Sequence, residues 1–220
     1  MGQKINPVGF RTGIYLDWES RWYAGKKDFA RLLKEDRQIR DFVRKEFAGA
    51  GIPKVEIERK ADAVSVIVHT AKPGVLIGRK GSKAEELQAQ IQKVTGHTVT
   101  LDIRDVAKPE LDATLVAQGV AEQLVKRAAY RRTLKRAIQQ TRERGALGVK
   151  IRISGRLGGA EIARVEKQSE GSIPLSTLKA DISYGTATAF TTYGAIGVKC
   201  WVYRGMLQTT KAEAVQGEVV

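Results

Sequence analysis

Apolar and polar positions recur along this chain in two rhythms, and the switches between them divide it into elements. From Lys26 to Phe47 the residues Phe29, Leu32, Leu33, Ile39, Val43 and Phe47 recur at helical spacing, predicting a helix with one broad apolar face and mixed charges elsewhere. Gly49-Ala50-Gly51 and Pro53 stop it. Val55 and Ile57 then alternate with Glu56 and Glu58, and Val64, Val66 and Val68 alternate over 63–69, so two strands follow. Ala84, Leu87, Ile91 and Val94 return to spacings of three and four, and Val99, Leu101 and Ile103 alternate again over 99–104. Pro109 marks a joint. Beyond it, Glu110 to Ala129 predicts a helix with Ala113, Val116, Val120 and Leu124 inward, and Tyr130 to Arg144 a second one ending at Gly145. Val149, Ile151 and Ile153 alternate with Lys150, Arg152 and Ser154 as a strand, and the Gly-, Thr- and Tyr-dense stretch 155–205 predicts a meandering antiparallel sheet.

Two segments have no such rhythm. Residues 1–25 are rich in Gly, Pro and aromatics, a composition for an extended piece that packs onto something else. Lys4, Arg11 and Arg21 sit among its rings, so the segment offers salt links and stacking faces to RNA, or docks its aromatics on the protein's own body. Its removal is expected to leave a two-domain body stable. The tail 208–220 is small, polar and mildly acidic, and reads as disordered.

Between the strand at 63–69 and the helix that begins near Ala84 lies Gly74-Val75-Leu76-Ile77-Gly78-Arg79-Lys80-Gly81-Ser82. Gly78 and Gly81 permit backbone angles closed to other residues and leave no side chain in the way. A polyanionic backbone can approach, meeting amides and a helix N-terminus, with Arg79, Lys80 and Lys83 adding charge. This is the loop logic of a KH domain, which clamps the backbone of about four nucleotides. A P-loop needs Gly, four residues, then Gly-Lys-Ser/Thr, and the spacing here fails that test. Gly155-Arg156-Leu157-Gly158-Gly159-Ala160 also lacks the dinucleotide fingerprint and reads as a turn that brings Arg156 to a surface.

Charge sharpens the picture. The 220 residues carry a net charge of +14 with a pI near 10, which points to a polyanionic partner. From Lys126 to Arg144 there are eight basic residues and one acid, Glu143. On a helical projection Tyr130, Leu134, Ala137, Ile138 and Thr141 form an apolar arc, and Arg131, Arg132, Lys135, Arg136 and Arg142 an adjacent cationic one. Solubilising faces intersperse both signs, and this one does not. With Lys4, Arg11, Arg127, Arg156 and Arg164, these residues and the glycine loop are the candidate RNA-binding set.

The chemistry of catalysis is missing from the pattern. His69 and His97 stand alone, no Cys/His cluster has metal-ligand spacing, and no nucleophile elbow or carboxylate pair stands out. No cofactor, metal or enzymatic activity is expected. No apolar run approaches the ~20 residues of a membrane span. The N-terminus lacks the apolar core of a signal peptide, and the single cysteine, Cys200, suits a reducing cytoplasm and reads as a small buried hydrophobe.

The stretches MGQKINPVGFRTGI, SRWYAGKKDF, GVLIGRKG, ISGRLGGAEIAR and TTYGAIGVKCWVYRG, in order over nearly the whole chain, resemble the bacterial family of small-ribosomal-subunit protein three. Only the short tail after Leu207 departs, since many relatives carry a longer one. The resemblance implies an α+β chain of two domains, a prokaryotic-type (type II) KH domain followed by an α/β domain with two helices and a mainly antiparallel sheet. The boundaries read as 1–25 extended, 26–107 KH, 108–207 C-terminal domain and 208–220 tail. It implies a non-enzymatic component of the subunit head that binds small-subunit ribosomal RNA beside ribosomal proteins ten and fourteen. It also implies a share, with small-subunit proteins four and five, in the messenger RNA entry path, where Arg131, Arg132 and Lys135 assist handling and unwinding of the message. A different class, a free KH protein of transcription or RNA processing, is the alternative. A GTPase fused to KH is excluded by the missing P-loop.

Overall fold

The computed structural model describes residues 3–60, 63–78 and 81–207. Arg79, Lys80 and the tail 208–220, assigned above to RNA contact and to disorder, lie outside the described residues. The chain opens on a short helix, α1 (Pro7–Arg11). It continues through β1 (Ser20–Arg21), α2 (Lys26–Glu46), β2 (Val55–Lys60), β3 (Ala63–Thr70), α3 (Pro73–Ile77), α4 (Ser82–Thr95) and β4 (Thr98–Asp105). After a 3-10 turn at Pro109–Leu111 come α5 (Ala113–Val125), α6 (Tyr130–Glu143), β5 (Gly148–Gly155), β6 (Arg164–Gly171), β7 (Ala180–Thr191) and β8 (Gly194–Met206). Two compact units result, residues 18–107 and residues 1–17 together with 108 onward.

In the unit 18–107 the sheet order is β1-β2-β3-β4, with β2 and β3 antiparallel and the two outer pairs parallel. Alternation delivers Val55, Ile57, Val64, Val66, Val68 and Val99 to one face, where Ile39 and Val43 of α2, Leu76 of α3, and Leu87 and Ile91 of α4 close the core. The apolar face of α2 is narrower than its pattern implies. Phe29 and Leu33 are 49% and 51% exposed, and the inward position between Leu33 and Ile39 belongs to Asp36, which is fully buried. Its carboxylate accepts from Ser20 Oγ at 2.9 Å, Trp22 Nε1 at 2.8 Å, and Arg59 Nε and Nη2 at 3.0 and 2.7 Å. A buried charge with four donors is satisfied, and two of those donors come from residues 20–22. That network holds β1, a two-residue strand too short for any alternation to announce. Glu56 of β2 is also buried, against Lys54 Nζ at 2.7 Å, Arg21 Nη2 at 2.9 Å and His69 Nε2 at 3.2 Å. Burial pushes its carboxyl pKa up, but Lys54, Arg21 and His69 outweigh burial and hold it below the ordinary value.

In the other unit the sheet order is β6-β5-β8-β7, antiparallel throughout. It is not a meander: two hairpins join because β8 pairs with β5. One face is covered by Ala113, Ala117, Val120, Ala121 and Leu124 of α5 and by Leu134 and Ile138 of α6. They meet Val149, Ile151, Ile153, Val198, Cys200 and Val202. Burial pushes the Cys200 thiol pKa up, so it stays a neutral core residue. The helix α5 starts three residues later than its pattern suggested, at an Asp112 cap that accepts from Thr114 N at 2.8 Å. There it meets Gly185 of β7, where an added Cβ would lie 2.3 Å from Thr114 N.

The N-terminal segment is the main departure from expectation. Residues 1–17 belong to the C-terminal unit and 18–25 to the other, so it is not one extended piece. Arg11, a candidate RNA contact, is fully buried. Its guanidinium donates to the carbonyls of Pro7 (3.0 Å), Ala180 (3.0 Å), Leu175 (3.1 Å) and Thr177 (2.9 Å). Tyr15 adds its hydroxyl to Ala180 O at 3.0 Å. With these donors gone, the carbonyls would lose their partners, so removal of the segment is expected to cost stability, against the reading of it as dispensable to the body.

Candidate nucleic-acid interface

The glycine loop joins two helices that the core fixes. Leu76 anchors α3 at 0% exposure, while Val75 and Ile77 on either side are each 40% exposed. α3 ends at Gly78 with φ 69°, and α4 begins after Gly81 with φ 84°, both left-handed conformations that favour glycine. At Gly78 a Cβ would also meet Lys83 Cγ at 2.8 Å, so the exposed Lys83 side chain lies across the loop entrance. Among the described residues no side-chain cap bond is made at the N-terminus of α4, whose N-cap is Gly81. The positive end of this 14-residue helix is the kind of site that suits a phosphate, and the half-exposed apolar Val75 and Ile77 lie on the preceding helix.

The second assembly surrounds α6. Thr133, Leu134, Ile138 and Thr141 are buried, and Arg131, Arg132, Lys135 and Arg136 are exposed together over the first two turns. Among the described residues, ion pairing on this helix and its cap is confined to the C-terminal end. Arg142 meets Glu170 at 3.4 Å and donates to Ala146 O at 2.7 Å, and Arg144 meets Glu110 at 3.3 Å. Arg142, assigned above to the cationic arc, is thus engaged within the fold, because it sits where α6 turns back onto β5 and β6.

Ahead of α6, the turn from α5 closes as a Schellman motif, with Arg127 N bonded to Leu124 O and Ala128 N to Gln123 O, each at 3.0 Å. The left-handed position of that motif usually holds glycine. Here it is Arg127, at φ 59°. The turn forms one wall of an open groove of ≈ 710 Å³ that also takes in Arg131, Arg156, Tyr130, Phe190 and Tyr193. Arg156 donates to Ala160 O at 2.9 Å and Tyr193 O at 3.2 Å, with its guanidinium 5.9 Å from the Tyr193 ring centre. Arg131 stands 5.6 Å from the Tyr130 ring centre. The structure thus joins three candidate arginines that are 29 residues apart at the extremes. The rings beside them were missed, although Phe190-Thr-Thr-Tyr193-Gly at a hairpin turn is a signal of exposed aromatics. Arg164, at the start of β6, is exposed and outside the groove, and Lys4 is exposed near the outer face of the sheet. Among the described residues no group of three or more His, Cys, Asp or Glu is placed to hold a metal, and no helix is long and apolar enough to cross a membrane.

Comparison with known proteins bears on the same two regions. Residues 38–111 match the KH domain, and residues 120–202 match the C-terminal domain of ribosomal protein S3. Small ribosomal subunit protein uS3 of Shouchella clausii is 54% identical over 96% of this chain and 96% of its own length. The chain belongs to the uS3 family. The uS3 proteins of Desulfitobacterium hafniense (54% identical, 99% of both chains) and Coxiella burnetii (53%, 97% of this chain and 94% of its own) are similarly close. These matches run through both units, so the family covers the glycine loop, α6 and the groove together. The uS3 relatives are named as ribosomal components and not as enzymes.

Proposed function

We propose that this chain anchors RNA in the head of the small ribosomal subunit, in the cytoplasm, and presents α6 to messenger RNA at its entry. The reading is carried by one observation: Arg131, Arg132, Lys135 and Arg136 stand exposed on two successive turns, and among the described residues the helix's ion pairs lie at the other end. Like charges so close repel, and a phosphate chain relieves that repulsion. Contacts of this kind are made to phosphates and carry little base preference, which suits a surface past which any message must slide. The glycine loop and the arginine groove supply further anchoring to ribosomal RNA. Proteins ten and fourteen are the proposed neighbours in the head, and proteins four and five the proposed companions at the entry.

The test changes Arg131, Arg132 and Lys135 together to Ala. All three are exposed, so folding and assembly into subunits are expected to persist. Translation through a stable hairpin in the message is expected to slow several-fold relative to an unstructured message. Equal slowing of both messages would leave general anchoring as the role of α6 and remove the unwinding role.

A further inference from the structure

The sheet of the C-terminal unit has a second face, turned away from α5 and α6, and its chemistry is not used by anything above. Strand alternation places Lys150 and Arg152 of β5, Lys167 of β6, and Lys199 and Trp201 of β8 there. The register sets them in rows. Arg152 lies directly opposite Lys167 on one side and Lys199 on the other, so three cations stand side by side on three adjacent strands. Like charges directly opposed across strands are destabilising, and an anionic partner lying along the row relieves that cost. In the next row Lys150 lies opposite Trp201, and Trp201 opposite Tyr184. The two rings sit 5.3 Å apart, with Lys150 Nζ 5.3 Å from the Trp201 ring centre. The acids of β6, Glu166 and Glu170, lie opposite Ile153 and Val149 and so belong to the helix-covered face.

The N-terminal residues Lys4 to Pro7 wall this face on one side, leaving a space of ≈ 740 Å³. Five of its twelve lining residues are cations, two are the rings, and none is a carboxylate. The volume falls in the class that holds a small organic ligand and not a duplex. We infer that this face binds a single-stranded segment of RNA, its phosphates along the Lys167–Arg152–Lys199 row and an unstacked base or ribose against Tyr184 and Trp201. Flat apolar rings beneath a cationic row are how proteins hold unpaired strands without reading sequence. The inference rests on the reading of the chain as an RNA anchor and adds a site on the side opposite α6.

The test is a titration of the full-length protein with a labelled ten-nucleotide oligouridine and with a ten-base-pair RNA duplex, over a range of salt. Arg152, Lys167 and Lys199 are changed together to Ala, and the α6 triple variant is run in parallel. Circular dichroism checks that both variants fold. The sheet variant is expected to bind oligouridine at least tenfold more weakly. Its slope of log affinity on log salt should be shallower by about 2, from three lost contacts at about 0.7 each. Photo-crosslinking of a thiouridine-containing oligomer to the unaltered protein is expected on peptides containing Tyr184 or Trp201. Unchanged oligouridine binding by the folded sheet variant, while the α6 variant is impaired, would overturn the site and leave the general reading intact. Unchanged binding by both variants would overturn the two together. An equal loss on duplex, or normal RNA binding combined with failure to join the subunit, would assign the face to duplex RNA or to a protein neighbour and overturn the inference.

Discussion

The guanidinium of Arg11 donates to four backbone carbonyls inside the C-terminal unit, so a side chain that cannot reproduce that fork leaves oxygens buried without partners. Arg11→Lys keeps the charge but has three donors on one atom. It is expected to destabilise the full chain by about 2–3 kcal/mol in chemical denaturation. An unchanged midpoint would show that the carbonyls find other donors. Arg127 presents the opposite case. Its left-handed backbone is unfavourable for any residue with a Cβ by about 1 kcal/mol, while its side chain lines the arginine groove. Arg127→Gly is therefore expected to stabilise the turn by roughly that amount and to weaken RNA binding. A variant that gains no stability would remove the argument that strain is tolerated there for the side chain's sake. Neither assignment was legible in the sequence, where both residues are simply basic. Asp36 was hidden in the same way, as a charge inside an apolar repeat whose partners, Ser20, Trp22 and Arg59, are brought in by tertiary structure.

Elements were more legible than residues wherever a period ran long enough. α2, α4, α6 and the strands β3, β4 and β5 lie within two residues of where their spacing put them, because one buried face dictates the pattern. The pattern failed for β1, whose two residues carry no period, and for the strand order of the second sheet, which depends on β8 pairing back to β5. It also failed to show why α5 is rich in alanine. Ala113 is fully buried where the start of the helix approaches Gly185 until no space for a Cβ remains. Gly185→Val is expected to push α5 off β7 and to cost about 3 kcal/mol. A much smaller loss in thermal or chemical denaturation would mean that the helix start can shift without disturbing the core.

At the scale of the whole molecule, both units combine an apolar core with cationic or glycine-rich surfaces. The net charge of +14 is the coarse form of that arrangement. The N-terminal segment contributes to both units: Arg11 and Tyr15 are built into one, and Ser20 and Trp22 into the other. That division was not legible, because a Gly/Pro-rich stretch gives no sign of which surface it covers. The family match over nearly the full chain and the exposed cations of α6 lead to one central claim, that the chain is a stoichiometric, RNA-anchored part of the small subunit. Sedimentation of a cell extract through a magnesium-containing gradient tests it most directly. The protein is expected in the small-subunit and whole-ribosome fractions, one copy per subunit, moving to the top of the gradient only when magnesium is removed or salt is raised. A large pool sedimenting as free protein under magnesium would contradict it and favour a soluble KH factor that visits RNA transiently.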